Sequence, residues 1–504
     1  MTKLIMALDQ GTTSSRCILY DAHCRMISEA HEEYPQHYPH PGWVEHDPMD
    51  IWNSQLHAMV DAMNQAHVTA ADIACIGITN QRETTICWDA LTGRPVYRAI
   101  VWQCRRTADF CRTWKETGGE SLIRERTGLL LDPYFSGTKL KWILDHVPEA
   151  MDLAQAGRLR FGTVDTWLIW QLSGGKRHVT DYTNASRTML FNIHTLKWDE
   201  TILDALHIPA SVLPEVLPCS GLFAVTSYDV MGAEIPICGV AGDQQAALFG
   251  QLCLARGQGK MTFGTGGFML MNTGEKPAAS KNGLLTTIAW NYGGKTTYAL
   301  EGSMFMSGAV VQWLRDELKI IDTAQETEAM AQAAGGNGGV YLVPAFVGIG
   351  APYWRPDARA AILGLSRGSS KNHIARAALE CQVYQTMDVL AAMNEDMGTP
   401  AEMIRVDGGA CANGFMMQFL ADITGLPVER PAIIETTSLG AAQLAGLAAG
   451  IWEDEAALAA ARHEGTHFVP DMPPEEREGL MENWHKAVHC ALAFTQDDAQ
   501  DDEA

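Results

Sequence analysis

The sequence has no Cys-x-x-Cys pair among its 12 cysteines and no apolar run long enough to cross a membrane. The apolar residues 4–8 are too few for a signal peptide, and Gln443 interrupts the Ala/Gly/Leu-rich residues 439–452. Basic side chains number 37 against 60 acidic ones, a balance that argues against a general nucleic-acid binder. We therefore predict a cytoplasmic protein with reduced cysteines, in which local donors would hold small anionic substrates.

Composition and length indicate a folded chain of several compact units. With 47% apolar and 19% charged residues, the chain is neither disordered, collagen-like nor a coiled coil. At ~150 residues per domain, its 504 residues correspond to two to four domains. Short apolar runs bounded by Gly, Asp or Asn alternate with helical periods, which is typical of an α/β fold. The predicted strands include residues 4–8, 73–79, 235–241, 261–263, 340–343 and 404–406, and the predicted helices residues 307–318, 374–393, 415–424 and 475–494.

Two segments repeat one scheme, in which a strand ends in a turn rich in Gly and Thr. The first is DQGTTSSR at residues 9–16, and the second is FGTGG at residues 263–267. Duplicated halves that face a cleft would produce this pattern. We place the boundary near residue 250, so that residues 1–250 and 251–504 form two domains, the second with a solvated acidic tail at 497–504.

One short match suggests a nucleophilic serine. Residues 364–368, GLSRG, fit the GxSxG pattern of acyl hydrolases and follow the strand-like residues 360–363. Such a nucleophile needs its helix to begin directly after the serine, whereas here Ser370 has the character of a helix N-cap. An ordinary turn at Ser366 is therefore favoured, with ester hydrolysis as an alternative.

Two further matches lack the structure that their chemistry needs. Residues 463–467, HEGTH, fit the HExxH zinc pattern, but Gly465 would end the preceding helix and leave His467 in a loop. Residues 294–296, GKT, resemble the end of a Walker loop, but Ala289 replaces its first Gly and a strand follows. We predict a hairpin there instead.

The first Gly/Thr turn carries groups suited to phosphate and a divalent cation. Asp9 at the strand end supplies a carboxylate for Mg²⁺, and Thr12, Thr13 and Ser14 offer N–H and O–H donors for phosphate oxygens. Arg16 adds a cation that could neutralise charge on a transferring phosphoryl group. A hairpin turn without a ligand is the alternative.

Two turns of the second half offer further nucleotide contacts. Residues 264–267 form a second nest of backbone donors, with Thr265 at its tip. In residues 406–413, VDGGACAN, a strand meets a glycine turn and then a helix, so a flat group such as adenine could lie on the backbone. Three such turns in one chain point to a nucleotide site.

A phosphoryl acceptor needs different groups, because its hydroxyl must be oriented and its proton taken by a nearby base. Asp243, beside Gln244 and just after a predicted strand, is our candidate base, with a helix N-cap as its alternative role. Arg82 and Glu83 form an adjacent pair of opposite charge, either for binding polyol hydroxyls or simply solvated.

Three aromatic residues could complete an acceptor site. Trp102, Tyr134 and Phe268 would press on the CH face of a small polyol while polar groups bind its hydroxyl face. Aromatic residues near strand ends are also common in cores, so packing is the alternative role for all three.

A wider similarity is carried by several long motifs in a fixed order. They are residues 9–16 (DQGTTSSR), 80–84 (NQRET), 134–139 (YFSGTK) with Trp142, 241–245 (AGDQQ), 263–266 (FGTG), 364–365 with 373–380, and 407–413 (DGGACAN). From about residue 4 to residue 452, the chain resembles the FGGY carbohydrate kinase family, and within it the members that phosphorylate glycerol. The resemblance implies two ribonuclease H-like α/β domains, as in actin, hexokinase and the heat-shock chaperone ATPases, flanking a catalytic cleft.

The same resemblance implies a role for each matched residue. Glycerol would be held by Arg82, Glu83, Trp102, Tyr134, Asp243, Gln244 and Phe268, with Asp243 as the general base. ATP would be contacted by Thr12, Thr13, Ser14, Arg16, Thr265, Gly308, Gln312, Gly409 and Asn413, and Asp9 would serve Mg²⁺. The N-terminal domain would thus hold the glycerol site and the first phosphate turn, and the C-terminal domain the nucleotide.

The implied reaction is ATP-dependent phosphorylation of glycerol to sn-glycerol 3-phosphate, the first step of glycerol utilisation, by a cytoplasmic homo-oligomer. Related pentulose and hexulose kinases share the nucleotide turns, so Arg82, Glu83 and Trp102 carry the expected specificity. Some bacterial members are inhibited by fructose 1,6-bisphosphate through an Arg in the loop where this chain has Glu234, which would repel that ligand. A sugar kinase of this fold and a non-catalytic nucleotide-binding scaffold are the alternatives.

Overall fold

The computed structural model describes residues 3–494, so the acidic tail predicted at 497–504 lies outside the described residues. The strands are β1 (Leu4–Gln10), β2 (Ser14–Tyr20), β3 (Met26–Glu33), β4 (Glu45–His46), β5 (Ile73–Asn80), β6 (Ile86–Asp89), β7 (Ala99–Ile100), β8 (Leu159–Gly162), β9 (Val179–Asp181), β10 (Phe191–Asn192), β11 (Lys197–Trp198), β12 (Glu215–Leu217), β13 (Ser220–Val225), β14 (Pro236–Gly242), β15 (Gln258–Phe263), β16 (Gly267–Gly274), β17 (Leu285–Tyr292), β18 (Lys295–Met304), β19 (Tyr341–Val343), β20 (Ala361–Leu363), β21 (Met403–Asp407), β22 (Val428–Arg430) and β23 (Thr466–Phe468). The α-helices are α1 (Pro48–Gln65), α2 (Ala108–Glu116), α3 (Gly119–Thr127), α4 (Ser136–His146), α5 (Ala150–Gln155), α6 (Val164–Leu172), α7 (Tyr182–Ser186), α8 (Glu200–Leu206), α9 (Tyr228–Met231), α10 (Asp243–Gly250), α11 (Gly308–Asp316), α12 (Glu326–Ala333), α13 (Lys371–Met397), α14 (Gly414–Thr424), α15 (Thr436–Ala448), α16 (Glu455–Ala460) and α17 (Pro474–Ala493). Every strand and helix predicted from the apolar patterns is present, with ends that differ by a few residues.

Strand β1 shows why the first half of the chain forms a buried sheet. Its successive side chains point to opposite faces. Leu4, Met6 and Leu8 join an apolar core that includes α1, whereas Ile5 and Ala7 join a second core that includes α15. A sheet covered on both faces needs strands that are apolar throughout, which is the pattern of residues 4–8.

The two large sheets share one topology. The first has strand order β13-β14-β5-β1-β2-β3, in which β1 to β3 are antiparallel neighbours and β5 and β14 run parallel to β1. The second has order β17-β18-β16-β15-β21-β22-β23, in which β15, β16 and β18 are antiparallel and β21 and β22 run parallel to β15. This repetition confirms the predicted α/β fold with duplicated halves.

Helix α15 belongs to the second half of the sequence but packs on the first sheet. Its backbone approaches so closely that a Cβ on Gly77 of β5 would lie 2.2 Å from the Ala441 carbonyl oxygen. A Cβ on Gly239 of β14 would likewise lie 2.4 Å from the Ala445 nitrogen. Only glycine allows the backbones of helix and strand to come this close. Because a helix from the second half of the sequence packs on the first sheet, the domain boundary near residue 250 stays our proposal.

The short enzyme-like motifs adopt ordinary structures. Ser366 lies in an exposed turn before α13, and its Oγ accepts a hydrogen bond from the Gly368 amide at 3.2 Å, as predicted for a plain turn. Gly294 belongs to the Gly293–Gly294 turn that joins β17 to β18, and Lys295 and Thr296 begin β18, which confirms the predicted hairpin. The prediction of a loop at His467 was wrong, because this residue pairs with Glu429 in the strand pair β22–β23.

The cysteines and the helices agree with the composition. All 12 cysteines are free, and each is buried except Cys490. Within residues 3–494, every helix is too short or too polar to cross a lipid bilayer.

Candidate active site

Three parallel strands of the first sheet end at one edge, and this edge gathers the predicted acceptor residues. Asp9 in β1 and Ala241 in β14 both lie beside Thr79 of β5. The segments that follow β5 and β14 therefore start side by side. As a result, Arg82 Nε lies 3.0 Å from Asp243 Oδ1.

Asp243 is the first residue of α10, and the N-cap is Gly242. The capping role considered for Asp243 is therefore not what the structure shows, although its Oδ1 accepts a hydrogen bond from the Gln244 amide at 2.7 Å. The same Oδ1 faces Arg82, whereas the nearest donor to Oδ2 among the described residues is Gln244 Nε2 at 3.5 Å. One carboxylate oxygen is anchored and the other is available.

Arg82 and Glu83 are buried, so the solvated pair considered from the sequence is wrong. Arg82 Nη1 lies 2.5 Å from Glu301 Oε2, and its Nη2 lies 3.2 Å from Glu301 Oε1. Glu83 Oε1 accepts a hydrogen bond from Arg187 Nε at 2.6 Å. Burial alone would raise the pKa of Glu301, but the two arginines outweigh it and hold that pKa at about 2.

The aromatic residues form a wall beside these charges. The Trp102 and Tyr134 rings meet edge to face with centroids 5.6 Å apart, and both side chains are half-buried. Trp102 Nε1 donates a hydrogen bond of 3.0 Å to Thr12 Oγ1, which links the acceptor side to the first phosphate turn. Phe268 lies on β16, half-buried against an apolar cluster that includes Ala241.

The first phosphate turn is held from behind. The Gly11 amide donates to the Ser14 carbonyl at 2.9 Å, and the Tyr34 hydroxyl lies 2.6 Å from the Gly11 carbonyl oxygen and 2.8 Å from that of Thr12. With its carbonyl oxygens bound to Tyr34, the turn can present N–H and O–H donors outward, and Thr13 is exposed.

Two carboxylates lie near the end of this turn. Arg16 faces Asp9 across the β1–β2 pair, and its Nη1 forms a 2.9 Å ion pair with Glu435 Oε2. Burial raises the pKa of Asp9 to about 7; Arg16 opposes this shift, and Glu435 and Asp243 add to it. No described residue donates a hydrogen bond to the Asp9 carboxylate, which leaves its oxygens free for a ligand.

A cleft of about 410 Å³ lies in the second half of the chain. Its lining includes five residues that the family resemblance places on the nucleotide, namely Thr265, Gly308, Gln312, Gly409 and Asn413. The Gly308 amide donates to the Gly264 carbonyl at 2.8 Å, and a Cβ on Gly308 would lie only 2.8 Å from that oxygen. The start of α11 thus packs directly on the second glycine turn.

A buried polar chain that was not predicted from the sequence lies between the two halves of the site. Lys260 Nζ contacts Gln244 Oε1 and lies 2.5 Å from Thr262 Oγ1. Thr262 in turn contacts Asp407, whose other oxygen accepts a hydrogen bond from Gln251 at 2.8 Å. The signal that could have marked Lys260 in β15 and Glu301 in β18 is a charged residue between the small and apolar residues of a strand.

Duplicated α/β halves, with the predicted acceptor residues at the edge of the first sheet and a cleft of about 410 Å³ in the second half, define a protein of the actin- and hexokinase-like fold. Residues 4–250 match the N-terminal domain of the FGGY family of carbohydrate kinases, and residues 259–449 match its C-terminal domain. The chain belongs to this family.

Similar proteins extend over nearly the whole chain. It is 59% identical over 492 residues to glycerol kinase 1 of Clostridium tetani, which covers 98% of this chain and 99% of the relative. It is 58% identical to a glycerol kinase of Clostridium botulinum over the same shares of both chains. The structure matches that of Plasmodium falciparum glycerol kinase with ADP at a TM-score of 0.93 and 37% identity, covering 97% of this chain and 98% of the other.

Proposed function

We propose that this protein transfers the terminal phosphoryl group of ATP to a terminal hydroxyl of glycerol, giving sn-glycerol 3-phosphate and ADP. The observation that carries the proposal is the 3.0 Å contact between Asp243 and Arg82 at the edge of the first sheet. This contact joins a candidate base to a candidate hydroxyl binder beside the Trp102–Tyr134 wall. The similarity to proteins named glycerol kinase supports the choice of acceptor.

Glycerol has three hydroxyl groups and one CH face, and the acceptor side offers a match to both. Among the described residues, Glu83 Oε2 receives no hydrogen bond, so it is free to accept one from a hydroxyl. Arg82 holds Glu301 through its Nη atoms and turns its Nε toward Asp243, where a second hydroxyl would lie. The rings of Trp102 and Tyr134 would cover the CH face.

Asp243 is the base in this proposal because its two oxygens differ. Oδ1 is fixed by Arg82 and the Gln244 amide, which sets the orientation of the carboxylate. Oδ2 is available to take the proton of a terminal hydroxyl as the hydroxyl oxygen attacks the outer phosphorus of ATP. The hydroxyl oxygen then forms a bond to this phosphorus, the bond from the phosphorus to the ADP oxygen breaks, and ADP leaves.

The nucleotide would lie along the cleft of the second half, with adenine over the open backbone at Gly409. Its phosphates would be bound between the Thr12–Ser14 turn and the Thr265 turn. Arg16 could leave Glu435 to neutralise the transferring group, because the pair is partly exposed on both sides.

Mg²⁺ fits the surroundings of Asp9. A carboxylate without a donor, whose pKa is raised partly by the three acids Glu435, Asp243 and Glu29, is stabilised by a cation. The described residues contain no group of three or more His, Cys, Asp or Glu side chains placed to bind a metal, so most ligands would be water and phosphate oxygens, as Mg²⁺ prefers. When bound, Mg²⁺ would neutralise phosphate charge. Asp9→Asn should raise the Mg²⁺ concentration needed for half-maximal activity.

The cellular setting is part of the proposal. Free, mostly buried cysteines are consistent with a cytoplasmic enzyme. A homo-oligomer, expected from the family resemblance, stays a prediction that light scattering of the purified protein would check.

Acceptor-dependent ATP consumption tests the function. With glycerol, xylulose, ribulose and gluconate compared at equal concentrations, kcat/KM should be highest for glycerol. A preference for one of the sugars would reassign the substrate. ATP binding without stimulation by any acceptor would favour a non-catalytic scaffold, and p-nitrophenyl ester hydrolysis lost in Ser366→Ala would favour the hydrolase.

A further inference from the structure

Four buried charges lie under the acceptor side and form what we call the acceptor charge cluster: Arg82, Glu83, Arg187 and Glu301. Their exposed fractions are 3%, 1%, 0% and 0%, respectively. Two positive and two negative side chains balance each other. Only Arg82 and Glu83 belong to the motifs that indicate glycerol binding, so Arg187 and Glu301 have no assigned role.

The cluster is a continuous chain of ion pairs. Arg187 bridges both acids, with Nε 2.6 Å from Glu83 Oε1 and Nη2 3.0 Å from Glu301 Oε1. Glu301 in turn binds Arg82, at 2.5 Å and 3.2 Å. Arg82 and Glu83 face the acceptor. They are held by Glu301 and Arg187, respectively, which do not face it.

The chain also crosses between the two halves of the protein. Arg187 follows α7 in the first half, whereas Glu301 lies in β18 of the second sheet. The Arg82 guanidinium is thus fixed by a carboxylate from the other half of the chain. Correct placement of Arg82 requires the two sheets to be in contact at β18.

Arg187 has a further buried contact with the aromatic wall. Its Nη1 is buried and has no hydrogen-bond acceptor among the described residues. Its guanidinium carbon lies 5.7 Å from the centre of the Tyr134 ring and 5.3 Å from that of Phe135. A cation this close to an aromatic ring restricts where the ring can lie.

The backbone of Glu83 is strained and needs such support. Its φ is +62°, in the left-handed region that favours glycine. The Ser136 and Thr85 hydroxyls bind its carbonyl oxygen at 2.9 Å and 3.1 Å, and Arg187 binds its carboxylate. These contacts fix both ends of a residue that would otherwise relax.

Stability alone does not account for this arrangement. Removing four charges from water is costly, and well-packed apolar side chains of similar size commonly give equal stability. Polar side chains in these positions are better explained by the orientation that they impose on Arg82, Glu83 and Tyr134.

We infer that Arg187 and Glu301 are positioning residues for the acceptor, so that the acceptor site is completed by the second half of the chain. The inference rests on the proposed function. A positioning role differs from a structural role in one measurable way: loss of a positioning residue weakens acceptor binding far more than nucleotide binding.

Glu301→Gln and Arg187→Lys test this on the full-length protein. Glu301→Gln keeps side-chain length, and Arg187→Lys keeps the charge while losing one atom of reach and the fork that joins two acids. For each, the glycerol KM should rise on the order of 10-fold or more, while the ATP KM stays within about twofold. Unchanged glycerol KM values, or equal rises for both substrates, would overturn the inference.

Asp388→Asn is the matched control. Asp388 is also a buried carboxylate, and its hydrogen-bond partners, Trp484 at 2.7 Å, Tyr353 at 2.9 Å and His485 at 2.8 Å, all lie outside the acceptor charge cluster. This change should lower Tm without shifting the glycerol KM relative to the ATP KM. A selective rise in glycerol KM for this control would show that any buried carboxylate has the same effect, and would also overturn the inference.

The double variant Arg187→Gln/Glu301→Gln separates positioning from folding. It restores the charge balance that Glu301→Gln alone disturbs, so Tm should recover part of its loss, while the glycerol KM stays raised. A glycerol KM that recovers with Tm would show a purely structural role. If the wild-type protein does not phosphorylate glycerol, the proposed function itself fails; if it does, the variants decide the inference.

Discussion

Replacing Asp243 by Asn removes the base and preserves the surroundings. Asn has the same shape, and its carbonyl oxygen can still accept from the Gln244 amide at 2.7 Å and face Arg82 at 3.0 Å. Arg82 also keeps its bidentate contact with Glu301. The acceptor pocket should therefore hold its geometry, so the change tests chemistry rather than binding.

The expected loss follows from this separation. Loss of a positioned general base costs about 10²- to 10⁴-fold in rate, or roughly 3–5 kcal/mol in the activation free energy. The pocket loses one ion pair, and that pair is partly exposed on the Asp243 side, so the glycerol KM should change by less than about tenfold. A coupled assay of ADP release, with glycerol and ATP varied separately, measures both quantities.

Two results would refute the reasoning. A kcat within about tenfold of wild type would mean that the proton leaves by another route. A large rise in glycerol KM with unchanged kcat would mean that Asp243 binds the acceptor without acting as a base. Asp109→Asn is the control and should change neither parameter, because Asp109 is an exposed carboxylate whose ion pair is with Arg112.

Three further changes have distinct expected outcomes. Gly409→Val should raise the ATP KM about tenfold with the glycerol KM unchanged in the same assay, because its Cβ meets no atom within 4 Å and would project into the nucleotide cleft. Trp102→Phe keeps a ring but loses the 3.0 Å bond to Thr12, worth about 1 kcal/mol, so the glycerol KM should rise roughly fivefold. Burial, with repulsion from Asp181, raises the pKa of Asp165 to about 7, so the folded state binds this proton more tightly than the unfolded chain and loses stability as pH rises from about 4 to about 7. Asp165→Asn removes this pH dependence, so the stability of the variant relative to wild type should increase across the same pH range, by up to roughly 4 kcal/mol in the free energy of unfolding. Tm measured for both proteins over this range checks the prediction, and a difference in Tm that does not change with pH would contradict the sign.

The fold was predictable from the sequence because its signals are local. The apolar residues of β1 and β5 form unbroken runs that end in Asp or Asn, and such runs define strands covered on both faces. His467 shows where this reasoning fails. Its strand, β23, has only three residues and exists because β22 pairs with it, a contact distant in sequence.

The sequence marks candidate site residues most clearly where they lie next to each other at strand ends. Asp9 lies near the end of β1, and Asp243 and Gly409 follow the ends of β14 and β21, where a motif can be seen. Glu301 and Lys260 lie inside strands, so their role depends on which residue of the other half they meet. Arg82 and Glu83 illustrate the limit, since an adjacent pair of opposite charge is usually solvated, and here Arg187 and Glu301 bury it.

Because Glu301 comes from the second sheet, the binding of one substrate should affect the binding of the other. Arg82 is oriented by Glu301 from the second half of the chain and contacts Asp243 in the first half. Lys260 contacts Gln244 and is connected through Thr262 to Asp407, which comes just before the glycine turn that lines the nucleotide cleft. Any movement that separates the sheets would disturb the acceptor side and the nucleotide side together. Glycerol binding should therefore favour the arrangement that also binds ATP, and by linkage ATP should favour glycerol to the same degree. Because Glu301→Gln cuts one of the two connections, it should reduce this mutual effect, whereas Asp388→Asn should leave it intact.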